Sequence, residues 1–263
     1  MRFSAGTPEQ TDQVIRVLNG MESIFDQVER PSIIQCRAAY SPEAILFDMD
    51  GVLADVGDSY RRCIIEASAV LGVEVTSEDI KEAKAAGDAN NDWLLTQRLV
   101  NEKLPADKAV TFEAAKEEFE KLYQGCDGHE GLYKTEQLLV DPLLLKDLSE
   151  KMPLAIVTGR PRNPDCIRFL EEQGIAQYFK AVVCMEDGPP KPAPDVVQIA
   201  MQKLGVKRAY MIGDTPDDIN AATAAGLPGL GIPAPGKDAD AAPLRRSGAA
   251  CILKDLEELR AFL

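Results

Sequence analysis

The sequence predicts an α/β fold, a doubly wound Rossmann-like parallel sheet, with an all-helical domain inserted after its first strand. Apolar runs of strand length alternate with helical patterns, as in a parallel sheet that helices cover on both faces. One long stretch contains only helical patterns and interrupts that alternation. The predicted division is therefore an N-terminal extension (1–43), a core (44–55 and 141–263) and an inserted helical domain (56–140).

The predicted strands are continuous apolar runs, which is typical of strands buried on both faces. They are AILFDMD (44–50), LAIVT (154–158), AVVCM (181–185), AYMIGD (209–214), GLGI (229–232) and AACIL (249–253). Helical patterns lie between them at 142–151, 164–174, 194–205 and 217–226. Three of these patterns end at a glycine, the residue preferred at a left-handed helix C-cap.

The insert consists of four successive helical patterns. They are DSYRRCIIEASAVLG (58–72), SEDIKEAKAAG (77–87), DWLLTQRLVNEK (92–103) and FEAAKEEFEKLYQG (112–125). Thr76, followed three residues later by Asp79, predicts a capped start for the second helix.

Composition excludes several classes of partner. The net charge of −14 argues against nucleic acid and anionic membrane, because both require a basic face. No apolar run approaches the roughly 20 residues that span a bilayer, and the N-terminus lacks the apolar stretch of a secretory signal, so we expect a cytoplasmic protein.

Six scattered cysteines without a CxxC pair predict reduced thiols and no zinc site. The only histidine, His129, lies in a glycine-rich stretch and is expected at the surface without a catalytic role.

Three of the predicted strands end in polar residues. Asp48 and Asp50 are two residues apart, so an extended backbone points both side chains the same way. Asp214 and Asp218 follow the fourth run, and Thr158 ends the second. Ligands of an open parallel sheet bind beyond the carboxyl ends of its strands, so these residues should share one crevice. Clustered carboxylates of this kind suit Mg²⁺.

Each motif alone has a simpler explanation. DMDG is also typical of a turn, and GDTPDD is typical of a helix start capped by Asp214 or Thr215. Thr158 alone fits an ordinary strand end, and Lys191 alone fits a solvated loop lysine. Their joint occurrence at successive strand ends favours a functional site.

The segments FDMDGVLAD, VTGRP, KPAPD and IGDTPDD resemble, in order and spacing, the four signature motifs of the haloacid dehalogenase superfamily. The match extends over roughly residues 44–233, and the helical insert resembles the cap domain of the phosphoglycolate phosphatase-like branch. The resemblance implies a phosphatase that forms an aspartyl-phosphate.

The same resemblance implies a role for each motif residue. Asp48 would be the nucleophile, and Asp50 would protonate the leaving alcohol and then activate water. Thr158 and the backbone of Gly159 would hold the phosphoryl oxygens, while Lys191 would neutralise the charge of the transferring group.

The resemblance also implies the metal ligands. Asp214 would bind Mg²⁺ together with the Asp48 carboxylate and the Asp50 carbonyl, and Asp218 would complete or support that shell.

Asp50 discriminates among the activities of the superfamily. Haloalkanoate dehalogenases lack an acid at this position, because halide leaves without a proton. Phosphonate hydrolysis needs a cap lysine that forms a Schiff base, and nothing singles out Lys81 or Lys84 for that role. A sugar phosphomutase of the same fold and a catalytically inactive binding or regulatory protein remain the alternatives.

Substrate choice is expected in the cap. The loop before Trp93 carries Asn90, Asn91 and Asp92, which could reach the leaving group; alternatively, Asn90 or Asp92 caps the following helix. Further candidates for an anionic substrate group, with surface positions as the alternative, are Arg160, Arg162, Arg61 and Arg62. We expect a small phosphorylated metabolite as the partner and a monomer or homodimer as the assembly.

Residues 1–19, MRFSAGTPEQTDQVIRVLN, resemble the closing segment of histidinol-phosphate aminotransferases. Arg2 would correspond to an arginine that contacts the anionic group of the substrate there. Aminotransferase and phosphatase reactions are consecutive in histidine synthesis. Histidinol phosphate is therefore a candidate substrate.

Overall fold

The computed structural model describes residues 32–87, 89, 91–126, 128–235 and 241–263. The aminotransferase-like segment with Arg2, and the predicted substrate residue Asn90, lie outside the described residues. Within the described part of the chain, no helix is both long enough and apolar enough to cross a membrane.

The core contains a six-stranded sheet, which confirms all six predicted strands. The strands are β1 (Ala44–Phe47), β6 (Leu154–Val157), β7 (Phe179–Val183), β8 (Ala209–Gly213), β9 (Gly229–Gly231) and β10 (Cys251–Ile252). Their order is β10-β9-β8-β1-β6-β7, and every neighbouring pair is parallel. Every residue of β1, β6 and β8 is buried, which explains why these runs are continuously apolar.

Helices flank this sheet, and four of them lie close to the predicted positions at 142–151, 164–174, 194–205 and 217–226. The flanking helices are α1 (Ile33–Ala39), α6 (Pro142–Lys151), α7 (Ile167–Glu172), α8 (Asp195–Leu204), α9 (Pro216–Ala224) and α10 (Ala242–Arg246). The doubly wound α/β prediction is thus confirmed. The helix predicted from residue 164 begins later, because a π-helical turn with one extended residue, Asn163 (φ −122°, ψ 134°), precedes α7.

Within its described residues the insert contains four α-helices, which match the four predicted patterns: α2 (Tyr60–Val70), α3 (Ser77–Ala86), α4 (Asp92–Lys103) and α5 (Phe112–Gln124). The expected cap of α3 is present, since Thr76 and Asp79 exchange side-chain-to-backbone hydrogen bonds. Aromatic rings join α2 to α5, with the ring centroids of Tyr60 and Tyr123 4.4 Å apart.

Two short antiparallel ladders accompany the insert helices, where only helices were predicted. One pairs β2 (Ala54–Asp55) with β5 (Gln137–Leu138), and the other pairs β3 (Gly125–Cys126) with β4 (His129–Glu130). Strands of two residues are too short to give a periodic pattern in the sequence. The first ladder joins the two places where the chain enters and leaves the insert. His129 is exposed, as predicted.

Candidate active site

The ends of the two central strands position the first motif. Asp48 follows β1, and its N–H donates to the carbonyl of Ile212 in β8 at 2.9 Å. The chain then turns sharply at Gly51, which has a φ of +77°. A Cβ at Gly51 would lie 2.2 Å from Oδ2 of Asp214, so a glycine here lets the turn pack against that carboxylate.

Lys191 connects the nucleophile candidate to the fourth motif. Its Nζ lies 2.6 Å from Oδ1 of Asp48, 2.5 Å from Oδ1 of Asp218 and 3.1 Å from the carbonyl of Val157. All three charged side chains are buried. Burial alone would lower the pKa of Lys191, but attraction to Asp218 and Asp48 raises it, so the lysine stays charged. The interpretation of Lys191 as a solvated loop residue is therefore wrong.

Three carboxylates form a candidate metal site beside Lys191. Asp48, Asp214 and Asp218 each offer an oxygen within 4.8 Å of the others. Burial and then repulsion from Asp218 raise the pKa of Asp214 to about 7, although nearby Lys84 and Arg61 oppose this. Burial likewise raises the pKa of Asp48. A crowded set of hard oxygen donors with surplus negative charge fits Mg²⁺.

The helix-start interpretation of GDTPDD is confirmed, and one residue of the cap also faces the candidate site. Thr215 caps α9, and its N–H and hydroxyl donate to Oδ2 of Asp218 at 3.0 and 2.7 Å. The other oxygen of Asp218 contacts Lys191. The capping box therefore orients the carboxylate that faces the site.

Thr158 and Gly159 follow β6, the strand that neighbours β1. Thr158 is buried, its N–H donates to Val183 at 2.9 Å, and its hydroxyl accepts from the N–H of Arg160 at 3.1 Å. Because β1 and β6 are paired in parallel, both residues lie at the same sheet edge as Asp48.

Asp50 is held by an arginine instead of joining the carboxylate cluster with its side chain. Nε and Nη2 of Arg160 lie 2.7 and 2.6 Å from Oδ1 of Asp50. Arg160 is only 1% exposed, so its interpretation as a surface charge is wrong. Its Nη1 donates to Glu136 at 2.8 Å and to the Tyr123 hydroxyl at 3.2 Å. Sequence reasoning missed Glu136, because an isolated acid in a helical insert carries no motif.

A cleft opens beside Asp50. Asp50, Gly159 and Arg160 line it from the core. From the insert it is lined by Tyr60, Asn91, Asp92 and Trp93. The structure thus brings two of the predicted substrate residues, Asn91 and Asp92, to the candidate general acid.

The helix cap in this loop is Asn91, so its assignment to Asn90 or Asp92 was wrong. The Asn91 side chain accepts from the N–H groups of Trp93 and Leu94, both at 3.1 Å. Asp92 is instead the first residue of α4, and its carboxylate lies 2.9 Å from Nζ of Lys84.

The other predicted arginines take different positions. Arg162 pairs with Asp187, and its backbone N–H donates to Glu186 at 3.0 Å. Arg62 forms an exposed ion pair with Glu66. Arg61, with Lys81 and Lys84, lines a second pocket beside Asp214.

Asp217 is a further residue that sequence reasoning missed. It is buried, and its Oδ2 accepts from the backbone N–H of Ala89 in the loop between α3 and α4. The acids of the DTPDD run were assigned to the metal and the helix start, so nothing in the sequence indicated this contact.

Comparisons with known proteins show similarity over the part of the chain that carries the four motifs. The profile of the haloacid dehalogenase-like hydrolase family matches residues 45–232. An imidazoleglycerol-phosphate dehydratase from Phytophthora nicotianae is 47% identical over 198 residues, which are 73% of this chain and 44% of that protein. This chain therefore spans less than half the length of that relative.

Two further similarities are more distant. Phosphoglycolate phosphatase from Escherichia coli (strain K12) is 28% identical over 206 residues, covering 72% of this chain and 80% of that one. The solved structure of a haloacid dehalogenase-like family hydrolase from Streptococcus pneumoniae has a TM-score of 0.62 at 22% identity, covering 84% of this chain and 98% of the other. The second similarity supports the fold alone.

Proposed function

Because the chain belongs to the haloacid dehalogenase-like hydrolase family, we propose that it is a Mg²⁺-dependent phosphatase that hydrolyses a small phosphomonoester, with histidinol phosphate as the leading substrate. The observation that supports it best is Lys191 bridging the buried carboxylates of Asp48 and Asp218, with Asp214 beside them. This arrangement joins a nucleophile, a fixed positive charge and a set of oxygen ligands at one sheet edge.

In the proposed reaction, an oxygen of Asp48 attacks phosphorus while the bond from phosphorus to the leaving oxygen breaks. Asp50 gives its proton to that leaving oxygen. Water then attacks the aspartyl-phosphate, Asp50 takes a proton from the water, and the bond between phosphorus and Asp48 breaks. Inorganic phosphate is released, and Asp48 and Asp50 return to their initial states.

Other residues of the chain, and a bound Mg²⁺, would support this reaction. Lys191 neutralises charge on Asp48 and the transferring group, and Thr158 with Gly159 binds phosphoryl oxygens. Mg²⁺ would be held by Asp48, Asp214 and the carbonyl of Asp50, supported by Asp218, and would stabilise negative charge on the phosphoryl oxygens.

Two independent similarities support histidinol phosphate. The N-terminal segment resembles a histidinol-phosphate aminotransferase, and the relative from Phytophthora nicotianae is named for a reaction on another imidazole-bearing phosphomonoester. The aromatic side chains of Tyr60 and Trp93 line the cleft beside Asp50.

The test is release of inorganic phosphate from a panel that includes histidinol phosphate, phosphoglycolate and sugar phosphates, each with Mg²⁺ and with EDTA. We expect Mg²⁺-dependent release, fastest from histidinol phosphate, and a loss of several orders of magnitude in Asp48→Asn. An isomeric sugar phosphate as the product would instead indicate a phosphomutase. No turnover of any ester would contradict the enzymatic assignment, and histidinol phosphate reacting no faster than unrelated esters would remove the substrate assignment.

A further inference from the structure

We propose that Arg160 is a positioning residue for Asp50: anchored by Glu136 and Tyr123 of the insert, it orients the Asp50 carboxylate toward the leaving-group oxygen. The proposal rests on the proposed phosphatase reaction, in which Asp50 is the general acid. It assigns to the insert a part in proton delivery as well as in substrate contact.

Both contacts of Arg160 with Asp50 go to the same oxygen. Nε donates to Oδ1 at 2.7 Å, and Nη2 lies 2.6 Å from it. The second oxygen of Asp50, Oδ2, is then left to meet the leaving group. Asp50 retains 24% side-chain exposure and lines the cleft, so a substrate can reach it.

The other end of the guanidinium is fixed by the insert. Nη1 donates to Oε2 of Glu136 at 2.8 Å and to the hydroxyl of Tyr123 at 3.2 Å. Oε1 of Glu136 in turn accepts from the hydroxyls of Tyr123 and Ser59 at 3.0 and 2.9 Å. Both carboxylate oxygens of Glu136 are therefore occupied, and the anchor has one geometry.

Packing fixes the plane of the same guanidinium. Its carbon lies 4.9 Å from the ring centroid of Tyr60 and 5.4 Å from that of Phe169. Planar stacking and fork-shaped hydrogen bonding are properties of arginine that lysine lacks. Because Nε and Nη1 are hydrogen-bonded and the side chain is buried, this guanidinium is a rigid support, although Nη2 makes no hydrogen bond within the described part of the chain.

If Arg160 positions a general acid, its loss should slow alkyl and aryl esters to different extents. A purely structural role would slow both equally. An alkyl phosphate needs a proton on its leaving oxygen, whereas 4-nitrophenolate leaves without one. Loss of the positioning residue should therefore slow the alkyl ester far more than the aryl ester. The ratio of the two kcat/KM values isolates this effect, because kcat/KM reports the steps up to departure of the leaving group.

The experiment measures kcat/KM of wild type, Arg160→Lys and Glu136→Gln with an alkyl phosphomonoester and with 4-nitrophenyl phosphate. For Arg160→Lys we expect a loss of about 10- to 100-fold on the alkyl ester and at most about 3-fold on the aryl ester. Glu136→Gln keeps the side-chain shape and should shift the ratio in the same direction by a smaller factor. Arg168→Gln is the matched control, since Arg168 stacks on Tyr133 in the same aromatic region and contacts Gln124 and Asp165.

Equal losses on both esters, or an unchanged ratio in Arg160→Lys, would overturn the positioning role while leaving the phosphatase assignment intact. If Arg160→Lys does not fold, the ratio in Glu136→Gln decides the question alone. Failure of the wild-type protein to hydrolyse either ester would instead count against the proposed function itself.

Discussion

Oδ2 of Asp217 accepts a hydrogen bond from the backbone N–H of Ala89, 3.3 Å away, across the boundary between core and insert. The Ala89 loop leads into Asn91 and Asp92, which line the cleft beside Asp50. The contact therefore ties the loop that lines the cleft to the helix that starts beside the candidate metal site.

Asp217→Ala should loosen this loop without removing any group from the reaction. We expect KM to rise by about 2- to 10-fold, the equivalent of one hydrogen bond, with a smaller change in kcat. Steady-state kinetics measure both. Asp195→Ala is the control, because Asp195 occupies the first turn of α8 as Asp217 does in α9. An equal rise in KM in both variants would show that the loop contact is irrelevant.

Lys191→Met should destabilise the fold as well as stop catalysis, since it leaves the carboxylates of Asp48 and Asp218 buried without a counter-charge. We expect the free energy of unfolding in EDTA to fall by about 3–5 kcal/mol. Adding Asp218→Asn should recover part of that loss. Urea unfolding measures the free energy of unfolding of wild type, Lys191→Met and the double variant. Lys203→Met is the control, because the ion pair of Lys203 with Asp187 is 3.5 Å long and the lysine is 41% exposed. A double variant no more stable than Lys191→Met would contradict this explanation.

Gly51→Ala should weaken metal binding, because the added Cβ would displace Asp214, whose Oδ2 lies 2.2 Å from its position. Wild type should unfold at a higher temperature with Mg²⁺ than with EDTA, and Gly51→Ala should lose most of that difference. Gly174→Ala separates the clash from backbone strain: its φ of +65° carries the same penalty, about 1–2 kcal/mol, but nothing lies within 4 Å of its added Cβ. Gly174→Ala should therefore be less stable yet keep the full Mg²⁺ response. An unchanged Mg²⁺ response in Gly51→Ala would refute the prediction.

The carboxylate of Asp79 should account for part of the stability that the insert loses at low pH. The ammonium of Lys103, followed by the N–H and hydroxyl of Thr76, lowers the pKa of Asp79 from 3.8 to about 2. A carboxyl whose pKa is lower in the folded state stabilises the fold above its unfolded pKa and loses that contribution as the pH falls toward 2. Asp79→Asn should therefore lose less stability than wild type between pH 4 and pH 2, as measured by urea midpoints. Glu78→Gln, next to it and 65% exposed, should follow wild type; if Asp79→Asn does so too, the carboxyl has no such role.

The sequence predicted the elements whose signal is local. Six apolar runs predicted six strands, and apolar spacing predicted the helix from Asp92 to Lys103, although its cap was expected at Asn90 or Asp92 and is Asn91. The motif residues Asp48, Lys191 and Asp218 meet as expected, since parallel strands end at one edge.

The sequence did not predict contacts between distant segments. Glu136 reaches Arg160 only because the insert folds back over the sheet edge, and no spacing in the chain encodes that approach. For the same reason, Arg160 was expected at the surface or on the substrate, although it is buried against Asp50. The short β2–β5 ladder also depends on two segments that are far apart in sequence.

The β2–β5 ladder has a consequence for how the insert can be exchanged during evolution. Ala54 and Leu138 are paired, so the two connections to the insert lie about 5 Å apart, the spacing of neighbouring strands. A module with adjacent ends can be exchanged for another, or shortened to a tight turn, without moving the ends of β1 or α6. The core could thus retain its chemistry while acquiring a new specificity by transplantation of one continuous segment of the gene.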